Sequence, residues 1–289
     1  MANPICLSPL KFYDALEKQE RHKIYSYGHV SPVVMPLSIL YPFQFSFTAS
    51  TSIVTSVYIF DAQTNTSVTE NIAASLIEKG LTIKDRDANN GKVLVYPGIF
   101  PIQEIKHEGQ YYLTIEISDT TYYSEVFCFM NALDNYLEIE YCNPESDFEL
   151  KNGIITFADN FKFKILINAE LGKPEYSFEE EATNRMGYNF VESQISKKIY
   201  KFNTLLPEYL CDALRLIRLC SNKTLVCKGE TYEMLSFEMD VDWQEQGDLA
   251  SVNCEFEVDN VIVNLGGFKH ELLGGDFNNN FNNDFNKIN

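Results

Sequence analysis

Phe43-Gln-Phe-Ser-Phe47 places a phenylalanine at every second position. A period of two belongs to a strand, whose successive side chains point to opposite faces, and not to a helix. The same signal recurs down the first half of the chain. Val54 to Phe60 forms a second run, and the polar stretch Asp61 to Thr66 then predicts a turn into a hairpin. Leu81 to Lys84 and Lys92 to Tyr96 flank Asn90-Gly91, a dipeptide that accepts the positive φ of a tight hairpin turn. Pro97-Gly98 ends that run. Tyr111 to Ser118 alternates with Leu113, Ile115 and Ile117 on one face; Asp119-Thr120 is a turn, and Tyr122 to Met130 runs back.

Six or seven short strands in about 90 residues predict a β-sandwich of immunoglobulin-like type over 42–133. Residues 1–41 read as an N-terminal arm, in which Ser8-Pro9 is placed to open a short helix. A mixed α+β unit is expected over 134–265. Strands are expected at Leu137 to Tyr141, Gly153 to Phe157, Phe161 to Ile167 and Lys198 to Asn203. The clearest helix of the chain follows, at Pro207 to Cys220, where Leu210, Ala213, Leu214, Ile217 and Cys220 keep helical spacing. Glu208 and Asp212 near its start and Arg215 and Arg218 near its end complement the helix dipole. Lys223 to Cys227, a turn at Lys228-Gly229-Glu230 and Thr231 to Val241 read as a hairpin. Ser251 to Val258 is a last strand, with Val252, Cys254, Phe256 and Val258 inward. The fold class expected is therefore mainly β with an α+β part and one packed helix.

The chain of 289 residues is 45% hydrophobic and carries 23 basic against 41 acidic residues, a net charge of -18. That balance opposes binding to DNA or to anionic membranes. It is compatible with an acidic wall past which DNA slides without sticking. Acids dominate Asp134 to Glu192, including Glu179-Glu180-Glu181, which reads first as a solvated face and second as such a wall. No signal peptide and no apolar run of about 18 residues is apparent, so no membrane role is expected.

The search for chemistry finds little. Seven cysteines without CxxC spacing read as reduced, buried thiols. His22, His29, His107 and His270 lack metal-ligand spacing. No nucleophile elbow, zinc-protease helix or phosphate loop occurs. The chain is expected to have no catalytic residues, no metal and no cofactor, and not to be an enzyme. Trp243, the single tryptophan, with Glu245 close by, offers one sugar-stacking alternative but reads first as a strand-end or interface residue. The segment 266–289 is rich in Asn, with Phe277, Phe281 and Phe285 spaced by four. These three rings and Trp243 are the candidate partner-binding residues.

Several segments together carry a family likeness: Val95-Tyr-Pro-Gly98, Gly109-Gln-Tyr-Tyr-Leu-Thr114, Tyr122-Tyr-Ser-Glu-Val-Phe127, Gly172-Lys-Pro-Glu-Tyr176, Phe178-Glu-Glu-Glu181, Tyr200-Lys-Phe202, Leu206-Pro-Glu-Tyr-Leu-Cys-Asp-Ala-Leu-Arg215 and Trp243-Gln-Glu-Gln-Gly-Asp-Leu-Ala-Ser251. Over roughly residues 9–265 the chain resembles uncharacterised tail or baseplate structural proteins of phages and prophages of Bacteroides-type bacteria. The resemblance implies a virion protein made in the bacterial cytoplasm. It also implies a homo-oligomeric ring assembled with other tail or baseplate proteins. The order of strand, helix, hairpin and strand over 198–258 is similar to a tail-tube-like sandwich or barrel, a likeness of topology alone. The alternative is a carbohydrate-binding or host-adhesion module on the virion surface.

Overall fold

The structure is a computed structural model that describes residues 8–19, 33–48, 53–85, 91–142, 162–185, 188–243 and 249–264. The fold is mainly β, with several sheets and one well-packed helix. The first sheet is built on β9 (Gly109–Ile117). β5 (Val54–Asp61) lies along one side of it. β10 (Thr120–Ser124) and β11 (Phe127–Met130) follow each other along the other side, pairing with Thr114 to Ile117 and with Gly109 to Tyr111 respectively. β1 (Phe12–Tyr13) extends β10, and β2 (Val33–Pro36) runs parallel to β11. The second sheet is β4 (Phe43–Thr48), β7 (Gly91–Tyr96) and β6 (Thr82–Asp85). β3 (Ile39–Leu40) and β8 (Phe100–Pro101) form a separate short pair.

The phenylalanine alternation of β4 explains how these two sheets close into a sandwich. Phe45 stacks on Phe12 at 4.3 Å between ring centroids, and Phe45 and Phe47 both contact Tyr122. Gln44 and Ser46, on the opposite face of β4, are buried as well, so the strand is covered on both sides.

Residues 136–264 build two further sheets. The third runs β13 (Phe163–Asn168), β12 (Tyr136–Cys142), β16 (Asn222–Cys227) and β17 (Glu230–Glu233). The fourth runs β14 (Glu175–Arg185), β15 (Tyr188–Pro207), β19 (Leu249–Asn264) and β18 (Glu238–Trp243). Helix α2 (Glu208–Ile217) packs on β15, β18 and β19 with Leu210, Leu214 and Ile217 fully buried. Buried apolar residues form one continuous core through both halves.

Four expectations are corrected. Ser8 opens no α-helix: its hydroxyl accepts the Leu10 amide, β1 follows, and one 3-10 turn forms at Leu16–Lys18. The hairpin expected after Asp61 makes its turn, with the Asp61 carboxylate accepting the Gln63 and Thr64 amides at 2.8 Å each. The return is a single antiparallel bridge, Phe60 to Ser67, with the Val68 amide donating to the Ile59 carbonyl at 2.8 Å, and does not extend into a strand. The Thr69 hydroxyl and the Asn71 amide oxygen accept the Ile59 and Val57 amides, so polar side chains cap the edge of β5. The short helix α1 (Ala73–Glu78), unforeseen, then closes over it with Leu76. Gly91 is not a turn residue: it pairs with Thr48 inside the ladder, next to the pairing of Asp85 with Lys92, while Asn90 lies outside the described residues. Thr231 to Val241 is no single strand either: β17 stays in the third sheet, Met234 and Phe237 plug into the core, and β18 joins the fourth. The strand expected at Gly153 to Phe157 lies outside the described residues.

Candidate assembly surface

The fourth sheet outgrows its core. On β15, Tyr200, Phe202, Thr204 and Leu206 point inward and are buried, opposite Phe256, Cys254, Val252 and Ala250 of β19. The next residues toward the tip keep pairing after a register shift at Lys198/Ile199. β14 and β15 continue as a hairpin to Arg185 and Tyr188, and β19 follows β15 as far as Asn264. The result is a three-stranded ribbon with little beneath it.

Cross-strand partners share a face, so the register assigns each side chain. The core-facing surface runs out along the ribbon as Tyr176 beside Lys198, then Phe178 beside Ser196 and Val261, then Glu180 beside Gln194. Tyr176, Phe178 and Val261 are 62%, 75% and 57% exposed. The opposite face carries Glu179, Ile195 and Ile262 in one row, with Lys197 donating to Glu179 at 2.6 Å and the Ser193 hydroxyl donating to Glu181 at 3.1 Å. The acidic run Glu179-Glu180-Glu181 is therefore a strand whose charges fall on alternate faces.

Nearer the base, the outer face of this sheet is polar. Lys201 bridges Glu175 at 2.7 Å and Glu255 at 3.4 Å, and Asn203 Nδ2 donates to Asn253 Oδ1. Glu238, Asp240 and Asp242 line β18, with Arg218 3.6 Å from Glu238. A hollow of about 340 Å³ opens elsewhere, between β12 and β16, lined by Glu140, Cys142, Lys162, Lys223 and Met234. Lys223 Nζ donates to the Cys220 carbonyl, and burial pulls its pKa down. Among the described residues no cluster of three or more His, Cys, Asp or Glu is placed to hold a metal. Cys128, Cys142, Cys211, Cys220, Cys227 and Cys254 are free thiols, and burial pushes Cys254 up to about 12.

A second polar feature joins the two halves. The Tyr41 hydroxyl donates to Glu138 Oε2 at 2.9 Å, Lys164 Nζ donates to Glu138 Oε1 at 2.5 Å and lies 3.2 Å from Glu140 Oε2, and Lys162 donates to Glu140 Oε1 at 2.7 Å. Burial opposes the charge of Lys164, but the two glutamates outweigh it and raise its pKa. Burial likewise opposes ionised Glu140, and the two lysines overcome that and lower it. Burial, then the Glu138 charge, drives the Tyr41 phenol up. This chain of alternating charges is structural: it pins the sandwich to the third sheet.

Of the partner-binding candidates, Phe277, Phe281 and Phe285 lie outside the described residues. Trp243 ends β18, paired with Ala250 and 47% exposed, far along the sheet from the ribbon. Sequence reading missed the ribbon. Tyr176 and Phe178 do alternate with Ser177 and Glu179, a signal that the surrounding acids masked.

No family model matches the chain, and no curated protein matches it. The chain is similar to one in the crystal structure of Dpr2 Ig1-Ig2 in complex with DIP-Theta Ig1-Ig3, at 11% identity over 82% of this chain and 94% of that chain, with a TM-score of 0.16. No helix among the described residues is long and apolar enough to cross a membrane.

Proposed function

We propose that the chain is a non-catalytic structural component of a bacteriophage tail, acting by assembly with itself and with other tail or baseplate proteins. The observation that carries an assembly role is the ribbon, whose core-side surface extends past its own core with Tyr176, Phe178 and Val261 exposed. Large apolar side chains aligned on one overhanging face are a feature of surfaces that are covered in use. The tail enters through the family likeness, whose segments include Phe178-Glu-Glu-Glu181 on β14 of the ribbon and Leu206 to Arg215 across α2. In this reading the first two sheets are an immunoglobulin-like sandwich and the last two a tail-tube-like unit. The acidic outer face of β18 would then border a path for DNA without holding it.

Co-expression with the tail and baseplate proteins of one phage tests the reading. The expected outcome is a co-purifying complex, and density for this chain in a map of the whole tail. Failure to associate with every tail protein would overturn it. The half-exposed Trp243 favours one alternative, a virion-surface module that binds carbohydrate. Binding on a glycan array that Trp243→Ala abolishes would establish that role, and binding that the substitution leaves intact would remove Trp243 from it.

A further inference from the structure

β14 is the outermost strand of its sheet, and among the described residues nothing pairs with its outer edge over Glu175 to Glu181. An edge strand turns the N–H and C=O of every second residue outward, a template on which another strand can pair. Its two faces are open as well: every residue from Glu175 to Glu181 except Ser177 is exposed. Charge on such an edge guards it against pairing with itself, and this one has four acids and no base from 175 to 181. Lys201 offsets Glu175, and Lys197 offsets Glu179. Glu180 and Glu181 differ. Glu180 accepts from the neutral Gln194 amide at 2.7 Å and Glu181 from the neutral Ser193 hydroxyl at 3.1 Å, with no cation at either among the described residues. Lys198 stands two rows from Glu180 and pairs across to Asp259.

We propose that β14 receives an extended, basic strand of a different protein, which pairs with its outer edge and becomes the fourth strand of the ribbon. Register dictates the pattern of that strand. Cross-strand neighbours share a face, so an antiparallel addition sets basic residues opposite Glu181 and Glu180, one on each face, and apolar residues opposite Phe178 and Tyr176. Along the incoming strand this reads basic-basic-x-apolar-x-apolar. Backbone hydrogen bonds supply the attraction, and the two carboxylates and two rings supply the selection. A second β14 would instead bring four more acids to the edge, and like charges placed opposite each other oppose pairing. The net charge of -18 acts in the same sense at longer range, repelling acidic partners and drawing basic ones.

Naming the partner's chemistry deepens the assembly reading of the ribbon and rests on it, but not on the phage tail. The attraction is partly between exposed charges, so it weakens as salt rises.

The probe is a synthetic peptide containing Lys-Lys-Thr-Val-Thr-Val, titrated into the full-length chain at low ionic strength and followed by fluorescence anisotropy. Saturable binding is expected, with slower hydrogen exchange over 175–181. Glu180→Lys combined with Glu181→Lys should weaken binding by roughly tenfold, as two exposed ion pairs become repulsive. The charge-reversed peptide Glu-Glu-Thr-Val-Thr-Val should bind that double variant and not the wild type. Both positions are exposed, so circular dichroism should show an intact fold. No binding at millimolar peptide overturns the proposal. Equal binding by the same peptide with methylated backbone nitrogens would show attraction by charge alone and also overturn it. Two other occupants would do the same. Self-association of the chain without peptide would give the edge to a second copy. Exchange over 175–181 that speeds up in a Phe277→Ser, Phe281→Ser, Phe285→Ser variant would give it to the chain's own segment 265–289. Co-purification with tail proteins alongside failed peptide binding would strike this inference and leave the tail reading standing.

Discussion

Lys164 sits between Glu138 and Glu140 with less than a fifth of its side chain exposed, so its removal leaves two half-buried carboxylates side by side. Lys164→Met is expected to lower stability by about 1–2 kcal/mol at pH 7, the range for a charge-assisted hydrogen bond reduced by partial exposure. The pH dependence has a definite sign. Glu140 is held below the ordinary carboxyl value, so its contribution is complete above that value and is lost as pH falls through the lowered one. Lys164 is raised, so its contribution is complete below the ordinary amine value and is lost as pH climbs through the raised one. The variant's deficit should therefore shrink in denaturant titrations as pH falls through the lowered Glu140 value, because a neutral Glu140 carboxyl no longer needs the amine. A second single-residue test is Gly172. A Cβ there would stand 2.9 Å from the Lys201 carbonyl oxygen, which already accepts the Gly172 amide at 2.8 Å. Backbone meets backbone, so neither side yields easily. Gly172→Ala should cost about 1–3 kcal/mol, the range for overpacking, read as a lower thermal midpoint. Lys164 did not stand out in the sequence, and Gly172 entered only at the head of the segment Gly172-Lys-Pro-Glu-Tyr176. A lysine between two glutamates on a neighbouring strand is a fact of register, and register is set by pairings across more than twenty residues.

At the scale of elements, α2 is where sequence and structure agree best. Its apolar positions keep helical spacing, Glu208 and Arg215 sit at the favourable ends, and Leu210, Leu214 and Ile217 are fully buried. Leu214→Ala should cost about 3 kcal/mol, within the range for a buried leucine cut back to alanine, measured by chemical unfolding. Period-two runs located β4, β9 and the Ser251 to Val258 part of β19, because apolar side chains there recur at every second position on the face that meets the core. Elements whose edges are satisfied by side chains were not legible. Thr69 and Asn71 complete the edge of β5 where the backbone return gives out, and no local pattern announces that. The ribbon was illegible for the converse reason. With little beneath it among the described residues, its faces mix Phe178, Glu179 and Glu180, and the alternation that marks a half-buried strand is lost.

For the whole molecule, the class was readable and the arrangement was not. Composition and period gave a mainly β chain with one strong helix, and that is what folds. The pairing of β1 with β10, β2 with β11, and β15 with β19 joins segments far apart in sequence, which no window of residues reveals. Net charge acts at this scale too. With -18 spread over the surface, self-repulsion opposes the compact state. Raising the salt concentration from about 0.02 M to 0.2 M shortens the screening length to under about 10 Å and should raise the thermal midpoint.

The partnership of β15 with β19 also bears on how the protein is made. Synthesis delivers β15 and α2 first, and β19, which flanks β15 along nearly its whole length, arrives only after β16, β17 and β18. Until then Tyr200, Phe202 and Leu206 lack the strand beside them. α2, emitted directly after β15, packs on it and is at hand to cover them. The second half of the chain thus cannot finish its fold until β19 has been made, and α2 lies against β15 from the start.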